Sequence, residues 1–306
     1  MTIIPPAPGE PRRPDGPRDS GDAWVVAATG EKYWGRYGAA GLLAVDAERG
    51  VLLQHRVGWS HFGGTWGLPG GALHEGEAPL VGALREAQEE AGIPDGAVRA
   101  RFASVLDLGI WSYTTVVADV VKQFEPVISD PESLALEWVP VDEVDQRPLH
   151  PGFGSAWPML RSLLSERPVI VVDAANVVGS VPDGWWKDRP GAATRLRDRL
   201  SAWAPGGVSA GELGLGAYRW FPRVSLVVEG EARALSDADS RRGVRERVDV
   251  VRADASGDDA IVEESQRLLS GGSRVTVVTS DRGLRARVEE LGARVRPAGW
   301  LLDLLG

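Results

Sequence analysis

The alternation of apolar and polar positions divides the chain into two halves with different rhythms. In the first, AWVVAAT (23–29) and GLLAV (41–45) read as strands, and VLLQHR (51–56) reads as a hairpin partner across DAERG (46–50). WGLPGG (66–71), a helical stretch and two further strand-like runs follow, RFASVLDLG (101–109) and YTTVVADVV (113–121). ALEWVPV (135–141) and a helix-like GSAWPMLRSLLSE (154–166) complete the half. This mixed order predicts an α/β or α+β sandwich. Around Ser165–Pro168 the pattern resets. VIVV, ATRLRDRLSAW, VSLVV, VDVVR, DAIVEESQRLL, RVTVV and GLRARVEEL then run as strand, helix, strand, strand, helix, strand, helix. Short β-branched runs alternating with helices predict a parallel sheet covered on both faces. No internal repeat relates the halves. The expected domains are 23–165 and 168–306. Residues 1–22, rich in proline, glycine and charge, read as a disordered tail.

Composition narrows the function classes. At 306 residues and 43% hydrophobic, the chain suits two domains of ordinary size. The absence of cysteine excludes disulfides and thiolate metal sites, and fits a cytoplasmic protein. No apolar run approaches the roughly 20 residues that span a bilayer, so no membrane partner is expected. Residues 1–165 carry 13 Lys+Arg against 22 Asp+Glu, whereas residues 166–306 carry 21 of each, 20 of the basic ones arginine. The acidic first half argues against non-specific nucleic-acid binding there. The arginine-rich second half either meets phosphates or reflects codon bias.

The chemistry of the first half concentrates in GALHEGEAPLVGALREAQEEAGI, Gly71 to Ile93. Pro79 and Gly92 bracket a helix, and Pro94 follows it. Leu80, Leu84, Ala87 and Ala91 recur at helical spacing and are its expected buried face. Glu86, Glu89 and Glu90 stand at i, i+3 and i+4, so their carboxylates share another face. Clustered like charges oppose helix formation, and a hard divalent cation relieves them; oxygen ligands select Mg²⁺ or Mn²⁺. Arg85 is placed to pair with Glu77.

Gly71, Glu77, Arg85, Glu86, Glu89, Glu90 and Gly92 match every fixed position of the Nudix signature, with Ile93 in one aliphatic slot and a small Ala87 in the other. The stretch therefore resembles the Nudix hydrolase family and implies its α/β/α sandwich with a mixed sheet. The resemblance implies metal-dependent hydrolysis of a nucleoside diphosphate linked to another group. The metal would be held by Glu86, Glu89 and Glu90, with Arg85 in the catalytic set and Glu89 the favoured base. A Nudix domain that senses its ligand without cleaving it is the alternative. Gly70, Gly71, Arg56 and Trp66 are the candidates for substrate contact. Trp59, His61, Phe62 and Trp66 either stack on a base or belong to the core. His74 and His150 have no identifiable partner.

In the second half, Asp173 ends the strand VIVV with Asn176 three residues on. Glu229 follows VSLVV, Asp258 and Asp259 open a helix, and Asp281 follows RVTVV. Acidic groups at one end of a parallel sheet would form a carboxylate cluster, where ligands of open α/β sheets bind. D-x-x-N after the first strand, DDAI and TSD resemble the NYN, YacP-like branch of PIN-like nucleases, a Rossmannoid fold with a mostly parallel sheet. That resemblance implies Mg²⁺- or Mn²⁺-dependent RNA cleavage with Asp173, Asp259 and Asp281 as ligands, supported by Asn176, Glu229 and Asp258. Glu229 departs from the expected aspartate. Each acid could equally be a helix cap, and an RNA-binding module without cleavage stays open. Arg195, Arg197, Arg241, Arg242 and Arg245 are candidate phosphate contacts, and Trp185 and Trp186 candidate stacking residues.

Overall fold

The computed structural model describes residues 1–5, 20–182, 184–235 and 247–306. Arg241, Arg242 and Arg245 lie outside the described residues. The chain divides into two compact units, residues 1–164 with 217–219, and residues 165–216 with 220–306.

The first unit contains β1 (Thr2–Ile4), β2 (Trp24–Val26), β3 (Lys32–Trp34), β4 (Ala39–Asp46), β5 (Gly50–Arg56), β6 (Trp66–Gly67), β7 (Gly70–Ala72), α1 (Pro79–Ala91), β8 (Val98–Asp107), β9 (Ser112–Val120), β10 (Ser133–Val139) and α2 (Pro151–Leu163). Its main sheet is mixed, in the order β10-β5-β4-β9-β8, with β6 against β5 and β7 against β4. Only β4 and β9 run parallel within that order; β4–β5, β5–β10 and β8–β9 are antiparallel. The expected β4–β5 hairpin forms, with Val45 opposite Val51 and Asp46 opposite Gly50. Asp46 closes the turn by accepting from the backbone N–H of Glu48 and Arg49 at 2.9 and 3.0 Å. Leu42, Leu43, Leu52, Leu53, Phe102, Val116, Val117 and Trp157 are fully buried and make the core.

The expectation of a structureless tail fails at its first residues. Thr2–Ile4 pairs antiparallel with Trp24–Val26 in a separate sheet of order β1-β2-β3. The β-branched Thr2, Ile3 and Ile4 suit a strand, and composition averaged over the following prolines hid them.

The second unit contains β11 (Pro168–Asp173), α3 (Ala174–Gly179), α4 (Arg189–Trp203), β12 (Arg223–Val228), β13 (Val248–Arg252), α5 (Gly257–Ser270), β14 (Arg274–Val278), α6 (Arg282–Glu290), β15 (Arg294–Arg296) and α7 (Ala298–Leu305). Its sheet order is β13-β12-β11-β14-β15, and all four neighbour pairs are parallel. Every residue of β11 is buried, the signature of a central parallel strand. Chain order reverses at β11, whose neighbours are β12 on one side and β14 on the other. The carboxyl ends of β11 and β14 thus define the crevice where this architecture binds ligands. β15 and α7 lie beyond the elements read from the pattern: RVR is too short and polar to announce a strand.

Candidate active site

α1 begins at Pro79, whose fixed φ suits a first turn, and stops at Gly92 with a left-handed φ of 62°. Its buried residues are Gly82, Ala83, Glu86, Ala87, Glu90 and Ala91. The expected apolar face needs correction, because Leu84 is exposed and Leu80 only half-buried. Alanines, not leucines, meet the sheet. Their small size lets the helix lie close to it, and that closeness carries Glu86 and Glu90 inside.

Two glycines receive these carboxylates, and a third, Gly41, lies beside them. A Cβ at Gly71 would stand 2.7 Å from the Glu86 carboxyl carbon and both its oxygens. The Gly70 N–H donates to Glu90 Oε2 at 2.8 Å. Gly70 pairs with Gly41 across β4 and β7, and a Cβ on Gly70 would come within 2.5 Å of the Gly41 Cα. The floor between the strands is bare backbone. Tyr113, at the start of β9, reaches over it: a Cβ on Gly41 would strike the Tyr113 hydroxyl.

Arg85 organises the box from the other side. Its Nε and Nη2 donate to the two oxygens of Glu77, each at 2.8 Å, in a bidentate pair. Nη2 also donates to the Ala72 carbonyl at 3.1 Å, and Nη1 to Glu86 at 2.7 Å and Glu89 at 3.3 Å. Chiefly through those Arg85 hydrogen bonds, the Glu77 carboxyl is held down at about 2 despite partial burial. The expected Arg85–Glu77 pair is present, and it ties the loop after β7 to the helix. Glu90 behaves oppositely. Burial, then the neighbouring Glu86 charge, push its carboxyl up to about 8, against the pull of the Gly70 N–H and Arg56.

Among the described residues, no three His, Asp or Glu side chains are arranged to hold a metal ion as they stand. Glu89 leans to Arg85, while Glu90 turns to Gly70. The donor chemistry nevertheless fits a hard dication. Two buried carboxylates repel each other one turn apart, and Gln54 Oε1 is buried beside them without a hydrogen-bond partner among the described residues. The Gln54 amide donates to Ser133 Oγ at 2.8 Å and to Glu90 Oε2 at 3.4 Å.

The substrate-contact candidates separate. Arg56 stands beside the carboxylates: its Nη2 lies 3.5 Å from Glu132, and its charge acts on Glu90. Trp66 is 6% exposed and its ring is covered, stacked on His55 at 4.7 Å with the Arg147 guanidinium 4.6 Å from its centroid. It is a wall residue, not an open stacking platform. Trp59 and Phe62 are the exposed aromatics of that loop. His150 accepts from the Gly152 N–H at 3.2 Å and caps α2. Burial, with Arg56 and His61 nearby, lowers it to about 4. Gln54, Glu132, Tyr113 and Gly41 escaped sequence reasoning because they are far from the box in the chain. Gln54 alone left a signal, as an amide inside the apolar run VLLQHR.

In the second unit, Asp173 caps α3 by accepting from Asn176 N–H at 3.0 Å, and accepts from the Thr279 hydroxyl at 2.8 Å. Asn176 Oδ1 accepts from Ser280 N–H at 2.9 Å, joining the ends of β11 and β14. Glu229 accepts from Gly257 N–H at 2.7 Å, and Asp281 caps α6 through Leu284 N–H at 2.8 Å. Asp173 is raised by burial first, with the Asp258 and Glu229 charges adding, against its hydrogen bonds. Asp258 is raised by burial, then by Asp281 and Glu229. Asp173, Glu229, Asp258 and Asp281 therefore share one end of the sheet. Asp259, the expected ligand, accepts from Arg287 at 2.6 Å, while Asp258 is the one that feels the charges of Asp281 and Glu229. Successive residues on a helix point about 100° apart, so only one of the pair can face the crevice. Arg197 is buried and paired with Asp198, so it is no open phosphate contact, whereas Trp186 is exposed.

Known proteins resemble this chain mainly in the first unit. The NUDIX domain family matches residues 35–163. A Mycobacterium tuberculosis protein named "Putative 8-oxo-dGTP diphosphatase 3" is 45% identical over 183 residues, 56% of this chain and 82% of that protein. The crystal structure of the Mycobacterium smegmatis Nudix hydrolase RenU is 44% identical, covering 47% of this chain and 94% of that one, with a TM-score of 0.44. A mutant of Rae1 (YacP) from Bacillus subtilis is 18% identical, covering 45% of this chain and 74% of that one, with a TM-score of 0.31. No described helix is long and apolar enough to cross a membrane. A relative matched over four-fifths of its length, together with an intact box folded around a glycine floor, establishes that this chain belongs to the Nudix hydrolase family.

Proposed function

We propose that the first unit hydrolyses a nucleoside diphosphate linked to another group, with Mg²⁺ or Mn²⁺, and that 8-oxo-dGTP is the first substrate to test. The observation that carries this reading is the burial of Glu86 and Glu90, side by side, over backbone stripped of side chains. Two buried carboxylates one turn apart are costly unless a cation joins them. Glu86 and Glu90, with Glu89 swung from Arg85, would hold the metal. A bound dication would supply charge neutralisation at the diphosphate oxygens. Arg56, whose charge reaches Glu90, would meet a phosphate of the substrate. Arg85, locked to Glu77, keeps the carboxylates in place. Glu89, the most open of the three, accepts the proton of the attacking water. The relatives' printed activity on 8-oxo-dGTP supports a nucleoside triphosphate whose diphosphate is linked to a further phosphate.

The test is release of monophosphate from a panel of 8-oxo-dGTP, ADP-ribose and dinucleoside polyphosphates, with Mg²⁺ and Mn²⁺ compared. Turnover of one member supports the reading. Tight binding of one member without turnover would overturn it in favour of a ligand-sensing Nudix domain.

For the second unit we propose a metal-dependent ribonuclease of the PIN-like, NYN type. The gathering of Asp173, Glu229, Asp258 and Asp281 at a reversal of strand order favours it. Asp173→Asn is expected to abolish Mn²⁺-dependent RNA cleavage and to leave nucleotide hydrolysis unchanged. RNA binding by the wild type without any cleavage would assign this unit to recognition alone.

A further inference from the structure

The hydroxyl of Tyr113 lies above the bare backbone of Gly41, close enough that a single Cβ there would displace it. Gly41 is the cross-strand partner of Gly70, whose N–H holds Glu90. Pro69 O would be 3.1 Å from that same Cβ, so the hydroxyl sits where the segment before the box crosses β4. The charges of Arg56, Glu90 and Glu86 all reach it. Among the described residues, no hydrogen bond uses this hydroxyl; the ring makes a tilted contact with Trp111 at 6.1 Å. The ring is thus packed, while its polar tip has no partner. A tyrosine held rigidly for packing alone would do as well as phenylalanine, and this unpartnered hydroxyl is not among the fully buried polar atoms, so an incoming group can reach it. Its position matters: the hydroxyl overlies Gly41, beside the strand that carries Gly70 and Glu90's donor.

We infer that Tyr113 is a substrate-contacting residue whose phenolic O–H donates to a phosphate oxygen of the nucleotide lying over Gly41, Gly70 and Gly71. The inference deepens the proposed hydrolase reading and rests on it. A phenol keeps its proton at neutral pH, so it offers a donor to an anionic oxygen, the stronger kind of hydrogen bond. The hydroxyl and the carboxylates flank the same strip of glycine backbone, so cation and donor would grip one substrate together. The bareness of Gly41 acquires a reason: any side chain there would push the donor off the substrate.

The experiment compares wild type with Tyr113→Phe, which removes one oxygen and keeps the ring packing. Two readouts are taken with Mg²⁺ present: kcat and KM for 8-oxo-dGTP, and the Kd of the non-hydrolysable α,β-methylene analogue of dGTP. The expected result is a roughly 10–100-fold fall in kcat/KM and a weaker Kd, with thermal stability held. A Tyr113→Phe variant within twofold of wild type on both readouts overturns the inference and leaves the hydrolase reading standing. A wild type that binds the analogue without turning over 8-oxo-dGTP removes the hydrolase reading for that substrate. In that case a weakened Kd in Tyr113→Phe still supports the contact, and an unchanged Kd overturns it. A wild type that neither binds nor hydrolyses overturns both. Gly41→Ala should reproduce the loss, and adding it to Tyr113→Phe should cost little more, since both remove one contact.

Discussion

The two carboxylate groups of this protein are held in different ways. Glu86 and Glu90 stand on one helix, and burial presses both against glycine backbone. The second unit draws Asp173, Glu229, Asp258 and Asp281 from separate segments, and most have a local task. Asp173 and Asp281 cap helices, and Glu229 anchors the start of α5. An acid that caps a helix has a structural reason to be there. Glu86 and Glu90 cap no helix: Arg85 and the Gly70 N–H hold them inside the fold, and Glu90 is pushed up to about 8 by its position. The lesson is that displaced titration and missing side chains around an acid speak for ligand chemistry more directly than clustering does.

Substituting the buried carboxylate tests this contrast hardest. Glu90→Gln should reduce nucleotide hydrolysis by about a thousandfold while leaving metal-free thermal stability equal or higher, because the amide keeps the shape of the side chain and can never ionise in that buried place beside Glu86. Near-normal turnover, or a collapse in stability, would make Glu90 a structural acid like those of the second unit. Gly71→Ala comes next. Its Cβ must displace the Glu86 carboxyl, and a shift of about 1 Å should lower turnover up to a hundredfold with modest change in melting temperature. Unchanged turnover would show that the floor tolerates a side chain.

The smallest effect concerns pH. His150 titrates at about 4 when folded and near 6.5 when unfolded. The unfolded chain takes up the proton first, so this group's contribution is present above pH 6.5 and lost as pH falls toward 4. Denaturant titration of wild type should show the first unit losing up to about 3 kcal/mol across that window. His150→Asn, which can still cap α2, should flatten the loss. A wild-type curve with no such slope would mean that water reaches His150 freely.

Legibility in the sequence followed contact range. The Nudix box could be read in full because its residues lie within two helical turns and a loop, so spacing alone places Glu86 and Glu90 on one face. Most strands of the two main sheets were readable from alternation or continuous β-branched runs, the short and polar β15 being an exception. The burial of α1 was legible only in part: periodicity nominated Leu80, Leu84, Ala87 and Ala91, and the sheet accepted the two alanines with Ala83 in place of the leucines. Asp258 against Asp259 was equally undecidable from DDAI, since one residue of helical phase separates them and Arg287, 28 positions on, takes Asp259.

The sequence by itself determined most of the elements, the family and the acids of the box, because helix phase, strand period and turn chemistry act between near neighbours. Tertiary structure alone decided that Tyr113 and Gln54 come to Glu90, that Trp66 is walled in, and that glycines on β4 and β7 share a floor. Those contacts join residues dozens of positions apart, and they arise only when sheet pairing closes long stretches of chain upon one another.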